Sequence, residues 1–425
     1  MERQPRFRQG LSQLRKKCRI RTVFSIIRFT LRCSKYLLLM PYDSTPENRF
    51  RTNFREFVIF SAILFTVNSV LLVNSLMGLE PRDQNNPYAL LGFARHVFSA
   101  FYIAAMAAAV SLKVPAWTRL INSVVEWDTI LPLSGRLMMT LTFTVFVQFV
   151  YFAVKATLYV YFASTSRSDA DAFYYTITLL SCFAMIYCEG RYVNIICTLA
   201  WLNAYIDAVN QEIRATLIDG KGEDGRKQAW GYHSGLQAFG TCQGGERVRR
   251  LRFFHGKLMD AKDEINNHYS FELLITITSI FIDMVFFVFL IITIFQYRNH
   301  IEADSLLINK FQRVAIITLS QVTKLVFTVF LCEKVKTKGS TAPVVVHKAL
   351  HTVDNFQEKN ELLIFSLELL HRSTRINAGG FFGVDYELLH TITAAVMVYT
   401  IMIIQFNFPA SPDGENPVES LCKFV

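Results

Sequence analysis

Residues 388–408 read LLHTITAAVMVYTIMIIQFNF, and the reading of this run decides the fold. It carries no formal charge. At 1.5 Å per helical residue, roughly 20 residues reach across the hydrocarbon core of a bilayer. Gln405 places an amide near the end of the run. A buried amide in hydrocarbon costs several kcal/mol unless it meets a partner or water. Its side chain therefore faces another helix or a wetted path, and the second choice makes the run a pore-lining helix.

Outward from this run the chain keeps the same character. Of its 425 residues, 52% are hydrophobic and 14% aromatic, and the apolar residues come in long uncharged runs, which is a membrane composition. Six further spans are predicted, over residues 57–79, 96–112, 137–163, 173–187, 271–295 and 314–332. The helical pattern of the fourth continues to residue 218. Residues 219–245 then hold eight glycines and read as a flexible linker. From Arg247, the residues Val248, Leu251, Phe254, Leu258, Ala261 and Ile265 recur at steps of three and four. That spacing makes an amphipathic helix leading into the fifth span. A further helix over 344–371 leads through Gly379, Gly380 and Gly383 into the seventh span.

The placement of the net charge of +10 orients the spans. Residues 1–56 carry fourteen Lys or Arg against four acids, and residues 191–262 carry eleven. Basic residues are also dense in the segments after the second and sixth spans and sparse in the alternate loops. By the positive-inside rule the N-terminus is cytoplasmic and the C-terminus extracellular. A G-protein-coupled receptor has the opposite orientation, and this chain lacks both a D-R-Y box and an N-P-x-x-Y run. The N-terminal segment is basic without a following apolar core, so it is not read as a signal peptide. Arg15, Lys16, Lys17, Arg19 and Arg21 are placed to lie against anionic membrane lipid.

The eight cysteines form no CxxC pair, and neither a zinc site nor a disulfide framework is implied. There is no phosphate loop and no nucleophile elbow. No enzyme, metal, cofactor or nucleic-acid partner is expected.

Charges inside the spans are informative because lipid makes them costly. Lys155, Asp283 and Lys324 lie there. The depths of Asp283 and Lys324 differ by roughly 6 Å at 1.5 Å per residue, so these two are candidates for an intramembrane ion pair. Lys155 lies toward the outer end of the third span, where it can snorkel or line a pocket. Phe149 and Phe152 belong to a run of aromatic residues covering most of that helix. With Lys155, Tyr159 and Tyr174 they are candidates for a pocket that takes an uncharged organic molecule. Lipid-facing aromatic belts use the same residue types.

Helix geometry divides the terminal run. Val398 and Met402 share a face with Gln405, at steps of four and three, whereas Tyr399 lies about 120° away and is expected to pack on a neighbouring helix. A ring of Met402 and Phe406 side chains can close a pore by excluding water, and a small rotation that brings in Gln405 rewets it.

Tyr399, five residues and then Gln405-Phe406 resemble the C-terminal motif of insect gustatory receptors, which is Thr-Tyr, five hydrophobic residues and Gln-Phe. Val398 stands in place of the Thr, and Thr400 is a polar departure. The resemblance implies an all-α integral membrane protein with seven transmembrane helices, N-terminus cytoplasmic and C-terminus extracellular, in the insect chemoreceptor channel fold. It implies a tastant-gated, nonselective cation channel in the plasma membrane of a sensory dendrite, assembled as a homotetramer or a heterotetramer with sister receptors. The permeants are monovalent and divalent cations and the ligand is a small-molecule tastant. Thr400, where sugar-sensing relatives carry an acid, tilts the ligand toward a bitter compound or another small organic molecule.

The implied organisation is a basic cytoplasmic segment 1–56 and helices 1–4 over 57–200 on the ligand-pocket side. A cytoplasmic extension 201–270 contains the linker 219–245 and an anchor helix. Helices 5 and 6 follow over 271–332, then a second anchor helix 333–381, a pore-lining helix 382–408 and an extracellular tail 409–425. The alternatives are an insect odorant receptor subunit and a seven-transmembrane G-protein-coupled receptor.

Overall fold

The computed structural model describes residues 42–44, 50–52, 133–164, 172–218, 244–296 and 305–407, with scattered helical residues between 59 and 122. The expectations for the N-terminal basic cluster, most of the glycine-rich linker and the tail 409–425 lie outside the described residues. So do those for most of the first two spans.

Seven helices carry the described fold. They are α1 (Gly135–Ser164), α2 (Ala172–Leu217), α3 (Gly244–Gln296), α4 (Ser305–Gly339), α5 (Thr341–Leu350), α6 (Phe356–His371) and α7 (Tyr386–Asn407). Four short strands complete it: β1 (Tyr42–Ser44), β2 (Phe50–Thr52), β3 (Asn377–Ala378) and β4 (Phe382–Gly383). β1 pairs with β2 and β3 with β4, both antiparallel. α1, α2, α3 and α4 each contain a stretch long and apolar enough to cross a membrane, and α7 is a shorter apolar helix.

α2 is the central helix. With 46 residues it is about 69 Å long, well beyond the ~30 Å of a hydrocarbon core. Nearly every residue from 187 to 210 is buried, so neighbours cover the whole circumference. α1 lies along one side of it, and α3, α4 and α5 along the others. α3 runs for 53 residues without a break. Its charged, amphipathic start and its apolar second half, expected as an anchor helix and a span, are one rod.

A ladder of polar side chains sews α2 to α4. Asn203 donates to the Leu331 carbonyl at 3.0 Å, and Asn210 donates to the Lys338 carbonyl at 2.8 Å. Between them Asp207 takes the Lys338 ammonium at 2.5 Å. These residues recur at steps of four and three, so the face of α2 that carries them is matched to one line along α4.

The expected single helix over 344–371 is two. α5 ends near residue 350, and α6 starts after Asn355, whose side-chain oxygen accepts from the Gln357 amide at 3.0 Å. Such a cap satisfies an otherwise orphaned N–H and starts a new helix more readily than it continues an old one. α5 buries Ala342, Val345, Val346 and Ala349, and α6 buries Leu362, Phe365 and Leu369.

The helix expected over 382–408 begins four residues later. Its first two residues belong to β4, which turns back on β3 through Gly379 and Gly380, both at positive φ (60° and 79°). This hairpin is docked on α3. The Gly379 amide donates to the Ser270 carbonyl at 2.9 Å, and the Asn377 amide donates to Asn266 Oδ1 at 2.8 Å. A Cβ at Gly379 would stand 2.7 Å from Leu274 Cδ2, so the close approach needs glycine.

Candidate functional site

Two places gather the residues with chemical potential. The first is buried where α1, α2, α3 and α4 meet. Glu189 on α2 is 3% exposed, and Lys155 on α1 and Lys324 on α4 are each 4% exposed. Lys324 Nζ lies 2.7 Å from Glu189 Oε1, and Lys155 Nζ lies 3.4 Å from the same oxygen. Lys155 also donates to Ser320 Oγ on α4. The Lys324 ammonium stands 5.2 Å over the Tyr192 ring, and the Tyr192 hydroxyl donates to the Lys324 carbonyl at 3.2 Å. Tyr151 on α1 donates to the Ser320 carbonyl at 3.3 Å.

Lys324 thus takes Glu189, not Asp283, as its carboxylate. Asp283 is only half-buried and accepts from Gln321 Nε2 at 3.3 Å, whereas Glu189 is enclosed and cannot remain charged there without close cations. Lys155 points into the bundle instead of snorkelling. Of the pocket candidates, Phe152 is buried beside it in the core and Phe149 packs against the same core. Tyr159 and Tyr174 fall on α1 and α2, with side chains outside the described residues.

A second ion pair lies one step along α2. Arg191 Nη2 donates to Glu272 Oε1 of α3 at 2.6 Å, with both side chains 0% exposed. The charge count along the sequence includes Arg191 among the bases after the fourth span, and in the structure it is a buried clamp between helices.

The second place is α7. Leu388, Ile392, Val396 and Thr400 are buried at steps of four and form the stripe that packs into the chain. Thr400 answers its own hydroxyl by donating to the Val396 carbonyl at 2.7 Å. Val398 and Met402 lie on the opposite side and are 58% and 44% exposed, and Gln405 is also exposed. Tyr399, about a quarter-turn from that face, sets its ring edge to face on Phe281 of α3, with centroids 5.7 Å apart. Phe406 belongs to the helix, and its side chain lies outside the described residues.

Asp385 directly precedes α7 and is tied to α4. Lys336 Nζ lies 3.1 Å from Asp385 Oδ2 and 3.4 Å from Glu333 Oε2. The hydrogen bond that the Lys336 ammonium donates to Asp385 holds it above its ordinary range. On the amphipathic start of α3, His255 is buried against Phe365 of α6, ring centroids 5.6 Å apart. Burial, helped by the nearby Arg372 guanidinium, pushes its imidazole down to about 4. Arg372 itself binds Asp260 Oδ1 at 2.7 Å and the Gly256 carbonyl at 3.0 Å.

The family profile described as 7tm Chemosensory receptor matches residues 27–408. Among curated proteins of Drosophila melanogaster, the chain is 23% identical over 184 residues to one named gustatory receptor 28b. That match covers 42% of this chain and 38% of the relative. It is 27% identical over 167 residues to one named gustatory receptor 28a, covering 38% of this chain and 36% of the relative. It is 25% identical over 174 residues to gustatory receptor for bitter taste 66a, covering 40% of this chain and 32% of the relative. The chain thus spans about a third to two-fifths of the length of these relatives. Among solved structures, the insect olfactory receptor OR5 from Machilis hrabei superposes with a TM-score of 0.65 at 10% identity. The superposition covers 90% of this chain and 100% of that one. The same receptor in complex with eugenol gives 0.64, over 91% of this chain and 100% of that one. At this identity the likeness is one of fold.

Proposed function

Because the chain belongs to the 7tm chemosensory receptor family, we propose that it is a gustatory receptor that works as a ligand-gated, nonselective cation channel. The observation that carries this reading is the two-sided build of α7. One stripe is buried in the chain's own core, while Val398, Met402 and Gln405 are left outward on a helix that carries no charge beyond Glu387 in its first turn. Four such faces around one axis make an apolar constriction at Met402 with an amide beyond it, which is a gate that dewets and rewets. Phe406 belongs to the same ring.

The ligand is a small organic tastant held by the outer halves of α1, α2 and α4, near Phe149, Phe152 and Lys155, with Tyr159 and Tyr174 completing the wall. Binding shifts a closed–open equilibrium by its differential affinity for the open state. The assembly is a tetramer, homomeric or with sister receptors, in the plasma membrane of a sensory dendrite. The charged start of α3, with α5 and α6, forms its cytoplasmic anchor, and monovalent and divalent cations are the permeants.

Expression in oocytes with a panel of tastants tests the reading: a tastant-evoked inward current is expected, with altered conductance or ion selectivity in Gln405→Leu. Wild-type conductance and selectivity in that variant remove Gln405 from the pore. Absence of current from any receptor combination removes the channel reading. The fold shared with an olfactory receptor favours a second reading, an odorant receptor subunit, which a response to volatile ligands and none to tastants would select.

A further inference from the structure

His347 and His351 stand four residues apart at the end of α5, with their rings edge to face and centroids 5.0 Å apart. Both side chains are exposed. The stripe of α5 that docks on the rest of the chain is Ala342, Val345, Val346 and Ala349, so the imidazoles occupy the solvent side of the helix. His351 is the C-cap and keeps helical dihedrals, φ −79° and ψ −14°. The one-turn register between the two rings therefore holds through the final turn instead of unwinding at it.

Two imidazoles one helical turn apart point the same way and can offer two nitrogens to one ion, which is how helical His-x-x-x-His sites hold zinc. Imidazole selects Zn2+, Cu2+ and Ni2+ over the hard, oxygen-seeking cations. We propose that His347 and His351 form a chelate for one divalent transition ion, Zn2+ or Cu2+, on the surface of the cytoplasmic anchor. Among the described residues no group of three or more His, Cys, Asp or Glu side chains is placed to hold a metal. The site is therefore a two-ligand one, with its remaining positions filled by water, and its ion is exchangeable and not a permanent structural part.

The position gives the ion a consequence. His351 opens the elbow 351–355 between α5, which packs on α2, and α6, which packs on α3. A bridge from His347 to His351 fastens the last turn of α5 and stiffens that elbow. The inference rests on α5 alone and is independent of the pore reading of α7.

The test uses the full chain purified in detergent with any histidine tag removed, titrated calorimetrically with Zn2+ and, in parallel, loaded with Cu2+ for electron paramagnetic resonance. The wild type is expected to bind one ion more than His347→Ala/His351→Ala. Each single variant should bind that ion at least tenfold more weakly. The Cu2+ spectrum should show splitting from two nitrogens, which the double variant loses. Glutamine replacements serve if the alanine variants do not purify. Equal stoichiometry and affinity in wild type and double variant, or wild-type affinity in either single variant, overturns the proposal.

Discussion

Lys324 and Glu189 meet at 2.7 Å in the interior of the helix bundle, and Lys155 reaches the same carboxylate oxygen from a third helix. One acid thus pairs with two bases and joins α1, α2 and α4. Removing one partner of a buried pair leaves an uncompensated charge, at about 3–5 kcal/mol. Glu189→Gln is expected to lower the melting temperature and surface expression sharply, whereas Asp283→Asn, at a half-buried position, has a smaller effect. Fluorescence-detected size-exclusion thermostability compares the two, and equal losses would deny Glu189 its central place.

Arg191 and Glu272 offer a cleaner exchange because both are fully enclosed. Arg191→Met alone and Glu272→Met alone are each expected to be severely destabilising. The double replacement by methionine should recover much of the loss, since apolar isosteres often match a buried ion pair. A double variant that is as unstable as the sum of the singles argues against pairing as the source of the effect.

The hairpin before α7 gives a graded test. At Gly379 an added Cβ meets Leu274 at 2.7 Å and the φ is 60°, whereas at Gly380 the φ is 79° and no atom lies within 4 Å. Gly380→Ala should cost about 1 kcal/mol for the left-handed backbone, and Gly379→Ala more, at about 2–3 kcal/mol. Thermal unfolding of the two variants ranks them, and the reverse order contradicts the docked hairpin.

His255 predicts a pH dependence, and its sign follows from its direction of shift. The native imidazole titrates at about 4, while an unfolded histidine titrates near 6.5. Between these values the unfolded chain holds more protons, so stability is full above about pH 6.5 and falls as the pH drops toward 4, by up to about 3 kcal/mol. Melting temperatures measured from pH 7 to 4.5 should show the decline. His255→Phe, whose neighbour is already Phe365, should flatten it, and an unchanged slope in that variant assigns the effect elsewhere.

On the proposed pore reading, Met402→Ser is expected to give current without ligand, because a hydroxyl at the proposed constriction holds water where a thioether expels it. Basal current and its block by external cations measure this. A silent variant with normal surface expression counts against Met402 as the constriction.

What was legible in the sequence was whatever rests on period and run length. α1, α2 and the second half of α3 follow from apolar runs, and the start of α3 follows from Val248, Leu251 and Leu258 at helical steps. Glu189 was missed because, with Arg191 two residues on, it looks like the charged edge of a span. Only the covering of α2 on all sides turns that apparent edge into an interior. The break between α5 and α6 was hidden because Asn355 is a cap only if the chain before it leaves the helix. The two-residue strands β3 and β4 are too short to carry any period, although the glycines between them marked the place. On α7, the face holding Val398, Met402 and Gln405 was readable from the helical repeat. That it points away from the chain's own core was not, since the repeat does not say which stripe is buried.

The unbroken course of α3 has a mechanical corollary. Its 53 residues make a rod of about 80 Å. That rod holds the hairpin before α7 at Ser270 and Asn266 and touches α7 at Tyr399 through Phe281. With no proline or break between these points, it can only tilt or twist as a whole. A tilt of about 2° about one end displaces the other by roughly 3 Å over that length. Any stimulus that rocks this lever therefore reaches the hairpin before the last helix and Tyr399 within it at once.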